Sequence, residues 1–131
     1  MKVMVFVKGC KASEAGVMPS HEQIAAMGKF NEELIKAGIL VAAEGLTPSK
    51  RGVRVHFSGK NRVVTDGPFA ETKEHLAGYY IIDCENLDEA IEWAARIPTA
   101  CQGGEGCIEI RPMRWQSSRD RAEALGETLI R

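Results

Sequence analysis

Residues 65–75, TDGPFAETKEH, combine a tight turn with a dense group of ionisable side chains. Asp66-Gly67 is a turn dipeptide, because Asp bonds nearby backbone groups and Gly accepts positive φ, and Pro68 fixes its own φ. Phe69 should then fold back as an apolar anchor. A charged run follows at the rim of the turn: Glu71, Lys73, Glu74 and His75. Turn chemistry does not account for this run, so the segment is either a ligand or catalytic site or an elaborate strand connection.

Proton transfer is the chemistry that these residue types favour. His21 lies at a first helical turn, where the helix dipole disfavours the charged imidazole and leaves a neutral ring suited to general-base work. His75 follows Glu71 by four residues, a spacing that pairs side chains in a helical turn. His56 lies on a polar hairpin face and favours a solvated position. We predict that Asp66 acts with His21 or His75 as an acid-base pair. The candidate ligand contacts are Glu44, Phe69, Glu71 and Lys73.

Metal and cofactor chemistry has no support in the sequence, which contains no cofactor fingerprint, zinc spacing or nucleophile motif. Its four cysteines lack a C-x-x-C spacing. They are Cys10, Cys84, Cys101 and Cys107. We therefore expect free thiols, no cofactor and no bound metal, as is usual in a reducing compartment.

Composition indicates one globular domain, since 131 residues that are 44% hydrophobic and 27% charged can form their own core. The formal net charge of −1 offers no basic field for nucleic acid or anionic membrane. The N-terminal apolar run, residues 3–7, is shorter than a signal-peptide core and far shorter than the roughly 20 residues that span a bilayer. We expect a cytoplasmic protein that binds neither DNA directly nor a membrane.

Residues 3–7, 39–43 and 79–82 are apolar on both faces, the hairpin at residues 53–65 begins with alternating apolar and polar residues, and amphipathic helices separate these strands. The predicted strands are residues 2–8, 39–46, 53–58, 62–65, 79–82 and 107–112. Ser20 and Asn86 are predicted helix caps, and these helices should end near Gly38 and Pro98. Residues 10–19, which mix Gly, Ser, Lys and Glu, are predicted as a loop. This order is a ferredoxin-like α+β plan with an inserted β-hairpin.

Two helices can cover only one face of such a sheet, so a second copy is the economical cover for the other. About 800 Å² of largely apolar surface per partner, at roughly 25 cal/mol per Å², outweighs an association cost of about 4–15 kcal/mol. We predict a homodimer that forms a dimeric α/β barrel from residues 1–113. Residues 114–131 should be a C-terminal tail or a loosely attached helix.

Three stretches resemble the DGPF-type branch of the YCII-related family. They are VVTDGPFAETKEHLAGYYII at 63–82, EELIKAGILVAAEGL at 32–46 and DEAIEWAARIP at 88–98. The resemblance implies a dimeric α+β barrel over about residues 1–113, in cytosolic proteins of poorly defined activity. The wider family includes a dehydrochlorinase of a chlorinated hydroxyhydroquinone and is linked to a His and Asp pair in a cleft, which implies His21 and Asp66 here. DGPF-type proteins are associated with extracytoplasmic-function sigma factors, which implies a regulatory role.

Two functions stay open at this point. In the first, Asp66 and one histidine transfer protons on a small aromatic or hydroxylated compound in a cleft between sheet and helix. In the second, the protein is a non-catalytic ligand-binding or regulatory dimer. Contact between Asp66 and a histidine, directly or through one water, favours the enzyme, whereas a cleft without a paired acid and base favours the regulator.

Overall fold

The structure, a computed structural model, describes residues 1–70, 75–98 and 106–126. The strands are β1 Lys2–Lys8, β2 Leu40–Gly45, β3 Val53–Ser58, β4 Asn61–Asp66, β5 Leu76–Asp83 and β6 Ile108–Pro112. The helices are α1 Lys11–Glu14, α2 His21–Lys36, α3 Leu87–Ala95 and α4 Ser118–Ala124, and a 3₁₀ turn occupies Ser49–Arg51. The predicted α+β order is confirmed.

The main sheet has four antiparallel strands in the order β2-β5-β1-β6. In the central strand β1, Val5 lies opposite Tyr80 of β5 and Ile110 of β6. This order is the ferredoxin-like one, with β3 and β4 inserted between β2 and β5 as a separate two-stranded sheet. The inserted hairpin was predicted from its alternating residues and is confirmed.

Caps fix the ends of the two long helices where the sequence predicts them. The Ser20 hydroxyl accepts from the Gln23 N–H at 3.2 Å, while the Gln23 side chain accepts from the Ser20 N–H at 3.1 Å. Asn86 caps α3 by accepting from the Glu89 N–H at 2.9 Å. Gly38 follows α2 with φ of +73°, a conformation that closes a helix and that glycine adopts without steric cost. The helix boundaries therefore follow from local residue chemistry.

The core lies between one face of the main sheet and helices α2 and α3. Its buried residues include Val3, Val5, Tyr80 and Ile82 from the sheet and Phe30, Leu34, Ala90 and Ala94 from the helices. The Phe30 ring meets Tyr80 edge-on, with centroids 5.9 Å apart, and Trp93 at 6.2 Å. Each fully buried large side chain contributes about 1.5–3 kcal/mol, so this layer holds the domain together.

The opposite face of the main sheet is also apolar. We call it the open sheet face, and it carries Met4, Phe6, Ala42, Tyr79 and Ile81, all of them only half-buried. Met4 lies opposite Ile81 and Phe6 opposite Tyr79, so the four larger side chains form a continuous patch. The strands thus have the two apolar faces that their sequences indicate.

The segment after β1 and the C-terminal segment each contain a short helix. Residues 10–19 were predicted as loop, which was wrong for Lys11–Glu14, the one-turn helix α1. The Ser13 hydroxyl accepts from the Cys10 N–H at 2.8 Å and stabilises this turn, which is too short to show a hydrophobic period. Residues 118–124 form α4, capped by Ser117, so the helical alternative holds there. The boundary at residue 113 stays a prediction.

Candidate functional site

The predicted turn lies against the loop that follows β2. The Gly67 N–H donates to the Gly52 carbonyl at 2.9 Å, and the Gly67–Pro68 peptide bond is cis. A Cβ on Gly67 would lie 1.8 Å from the Ser49 carbonyl oxygen, so no side chain fits there. Gly67 does not have a positive φ. The glycine is therefore required by close backbone approach and not, as its turn chemistry suggested, by φ.

Phe69 is held through both polar groups of its backbone. Its N–H donates to the Ser49 hydroxyl at 3.1 Å, and its carbonyl oxygen lies 2.9 Å from Nε2 of His75. The Arg54 guanidinium lies 3.9 Å from the centre of the Phe69 ring. Such a cation-π contact contributes about 0.5–1 kcal/mol at an exposed site and more when desolvated. The half-buried ring thus has the anchoring position expected from the sequence.

Glu14, the last residue of α1, joins the turn to the rest of the chain. Its carboxylate oxygens accept from the Ser49 N–H at 3.1 and 3.2 Å and also from the Ser49 hydroxyl. Its Oε2 lies 3.4 Å from Nδ1 of His75. The hydrogen bond from the Ser49 hydroxyl lowers the pKa of Glu14, and the Ser49 N–H and the positive potential of His75 reinforce this against the effect of burial.

His75 is the buried polar residue at the centre of these contacts, with 7% of its surface exposed. Nε2 faces a carbonyl oxygen and Nδ1 faces a carboxylate. Neither oxygen donates a proton, so only the doubly protonated ring donates to both at once. The Gly9 N–H donates to the His75 carbonyl at 2.8 Å, and this bond holds the chain just before α1 next to His75. We call Glu14, Ser49, Phe69 and His75 the turn clamp.

The other predicted site residues lie outside the turn clamp. Asp66 ends β4, exposed and opposite Val53. His21 is the exposed first residue of α2. Glu44 is exposed on β2, opposite Tyr79. Within residues 1–70, 75–98 and 106–126, no hydrogen bond or ion pair joins Asp66 to a histidine.

Glu71 and Lys73 lie outside the described residues, and so does the predicted pairing of Glu71 with His75. In the described part of the chain, the acidic group that faces His75 is Glu14. The structure therefore unites two of the predicted residues, Phe69 and His75, through a partner that the sequence did not suggest.

Glu14 and Ser49 are the site residues that sequence reasoning missed. Ser49 donates to a carboxylate 35 residues earlier in the chain, and no local periodicity reports such a contact. Glu14 lies in the segment predicted as loop, residues 10–19, and Ser49 begins the short 3₁₀ turn between β2 and β3. The available signal was indirect: a buried histidine needs partners at both ring nitrogens.

An apolar groove of about 440 Å³ lies elsewhere, between α3 and β6. It is lined by Ile91, Ala94, Ala95, Ile97, Ile108 and Ile110. This lining contains no acid, base or hydroxyl, so the groove supplies no chemistry of its own. Across the described residues, no cluster of three His, Cys, Asp or Glu side chains has the arrangement to hold a metal ion. Nor does that part of the chain contain a helix with the length and apolarity needed to cross a membrane.

Comparisons with known proteins agree on the family and the fold. The family model of the YCII-related domain matches residues 1–115. An uncharacterized protein of Rhizobium meliloti (strain 1021), R00369, is 40% identical over 87 residues, which are 66% of this chain and 69% of that protein.

A solved structure with a similar fold is 5-chloro-2-hydroxyhydroquinone dehydrochlorinase (TftG) from Burkholderia phenoliruptrix AC1100 in complex with 2,5-dihydroxybenzoquinone. The TM-score is 0.51, and the match covers 88% of this chain and 95% of the other. At 13% identity, this likeness is a likeness of fold alone.

Proposed function

The chain belongs to the YCII-related family, and from that premise we propose that it binds a small aromatic or hydroxylated compound and transfers protons on it. The observation that carries the proposal is the contact between the half-buried Glu14 and the buried His75, whose Oε2 and Nδ1 lie 3.4 Å apart beside the turn. A carboxylate that orients an imidazole is a recurring acid-base device. The ligand of the similar fold, 2,5-dihydroxybenzoquinone, supports the class of compound.

In this proposal His75 is the acid and Asp66 the base. The Nε2–H of His75 points at the Phe69 carbonyl, and a ligand oxygen that replaces this carbonyl receives the same hydrogen bond. Glu14 is a positioning residue, because it acts through His75. Asp66, exposed at the end of β4, accepts a hydroxyl proton at the rim. His21 is the second candidate histidine. The proposed ligand contacts are Phe69, Glu44, Glu71 and Lys73.

Ligand identification by native mass spectrometry of the purified protein is the first experiment. Binding or turnover of that ligand is then measured beside thermal unfolding for Asp66→Asn, His75→Gln and His21→Gln. Asp66→Asn should abolish binding or turnover and keep the melting temperature within a few degrees, since Asn bonds a turn backbone as Asp does. Glu92→Gln, an exposed change on α3, is the control. Binding and turnover that stay unchanged in all three variants would refute the site.

The second candidate function is a non-catalytic, ligand-binding regulator. The observation in its favour is that the Phe69 carbonyl already engages Nε2 of His75, so the clamp also suits a purely structural pair. The resemblance to DGPF-type proteins would connect such a regulator to transcription by extracytoplasmic-function sigma factors through a protein partner. Ligand binding without turnover in the wild type, retained in His75→Gln, would favour this reading.

Both functions include a cytoplasmic homodimer that binds no nucleic acid directly. We propose that two copies pack their open sheet faces together and close a dimeric α/β barrel. The half-buried patch of Met4, Phe6, Tyr79 and Ile81 supports this contact, because a partner sheet removes it from water. Sedimentation equilibrium at micromolar concentration should give twice the chain mass, and a well-folded monomer would contradict the dimer.

A further inference from the structure

The β3–β4 hairpin exposes more apolar surface than a solvated connection needs. Its five large apolar side chains are between 48% and 73% exposed. They are Val53, Val55, Phe57, Val63 and Val64. An isolated two-stranded hairpin is at best marginally stable in water, and clustered exposed apolar residues mark contact surfaces. The hairpin therefore needs a cover.

Strand register gathers most of this surface on one side. Val55 lies opposite Val64, and Phe57 lies opposite Arg62. With Val53, these apolar residues form a row along one face of the hairpin. The Arg62 guanidinium lies 4.4 Å from the centre of the Phe57 ring at the tip. The row is thus apolar along its length and cationic at its end.

Charge selects the partner of this row. Residues 50–66 contain five basic residues and one carboxylate, which gives this segment a formal charge of +4. The whole chain has a net charge of −1, so the remaining residues together carry −5. The basic residues are Lys50, Arg51, Arg54, Lys60 and Arg62, and the carboxylate is Asp66. Two such hairpins repel each other, whereas the acidic remainder of a second copy attracts either one.

One border of the open sheet face offers a carboxylate to such a basic arm. Glu44 lies opposite Tyr79 at this border, whereas Glu109 at the other border is ion-paired with Lys8 and Arg111. Among the described residues, no cation forms an ion pair with Glu44. A basic arm from another copy therefore meets an unpaired carboxylate at the β2 border and leaves the apolar patch to the partner sheet.

We propose that the hairpin is an exchanged arm, which each copy of the homodimer lays over the acidic body of the other. The inference rests on the dimer in the proposed function and adds a second contact to it. Reciprocal exchange preserves a two-fold axis. A stable interface needs about 800 Å² per partner, and a single aromatic such as Phe57 buries about 150–250 Å² of it.

Sedimentation equilibrium of the full chain tests the arm through its apolar row and its charge separately. Phe57→Ser and the double change Lys60→Glu/Arg62→Glu should each raise the dimer dissociation constant at least about tenfold. The control is Lys29→Glu/Lys36→Glu, which makes the same charge change on the exposed side of α2. This control should shift the dimer dissociation constant less than about twofold. Raising salt from about 0.05 to 0.5 M should weaken the wild-type dimer, because it screens surface charges.

The outcomes separate the arm from the dimer. A monomeric wild type overturns both. A wild-type dimer that Phe57→Ser and Lys60→Glu/Arg62→Glu leave as tight as the control does overturns the arm and leaves the sheet contact standing. Variants that lose only a larger assembly and keep the dimer overturn exchange in favour of hairpin-to-hairpin contact. Far-UV circular dichroism of each variant verifies that the fold is intact.

Discussion

Replacing Glu14 by Gln tests whether the turn clamp stabilises the fold. The amide keeps the shape of the side chain and still accepts through its oxygen, but it removes the negative charge that faces Nδ1 of His75. Hydrogen bonds to a charged acceptor contribute about 1.5–3 kcal/mol each, and Glu14 accepts from both the N–H and the hydroxyl of Ser49. The Glu14 side chain is 20% exposed, and its Oε2 lies as far as 3.4 Å from Nδ1 of His75. We therefore expect a smaller loss, about 2 kcal/mol.

Urea and thermal unfolding at neutral pH measure this loss. A loss of about 2 kcal/mol corresponds to a melting temperature lower by about 8 °C for a chain of this size. Glu123→Gln is the matched control, since it removes an i,i+4 ion pair to Arg119 whose side chains are 65% and 66% exposed. Such a pair contributes about 0.3–0.5 kcal/mol. Equal losses of stability in the two variants would show that the negative charge of Glu14 does not stabilise the turn clamp.

The pH dependence of the same difference has a fixed sign. The folded protein lowers the pKa of Glu14 below its ordinary value of 4.5, chiefly through the hydrogen bond from the Ser49 hydroxyl. A carboxyl group of this kind stabilises fully above its unfolded pKa, and the contribution disappears as pH falls through the folded pKa. The gap between wild type and Glu14→Gln should thus be wide at about pH 6 and close below about pH 4.5. A gap that widens in acid would contradict the assignment.

Two further substitutions test the turn and the open sheet face. Gly67→Ala forces a Cβ to within 1.8 Å of the Ser49 carbonyl and should cost more than about 2 kcal/mol in urea unfolding. Gly28→Ala in α2, where a Cβ meets nothing within 4 Å, should instead stabilise by up to about 1 kcal/mol, and equal effects would refute the close approach. Ile81→Asp should abolish the dimer in sedimentation equilibrium, whereas Ile91→Asp on α3 should not; a dimer of wild-type affinity in Ile81→Asp would rule out the sheet contact.

Local chemistry made the fold predictable. Alternating and doubly apolar runs predicted the strands, and caps at Ser20 and Asn86 fixed the helix starts. The sheet order then followed from the ferredoxin-like plan. Among the described α-helices, α1 was not predicted, because a single turn held by Ser13 has no hydrophobic period.

The site was predictable only in part. Residue types within the turn and in the charged run after it singled out Phe69 and His75, which lie in the turn clamp, and Asp66, which lies outside it. The partner of His75 was not predictable, because Glu14 reaches it only after α1 packs against the start of β5. Long-range side-chain pairs depend on tertiary packing, and no pattern within one segment contains that information.

The turn clamp also defines the mechanics of the inserted hairpin. Ser49 precedes the hairpin and Phe69 follows it, and both are fastened at the same point to Glu14 and His75. The two six-residue strands extend about 20 Å beyond this root. The hairpin is therefore held at its root by the same contacts that hold His75. A partner that displaces the tip thus acts on the contacts of His75, the one buried histidine among the described residues.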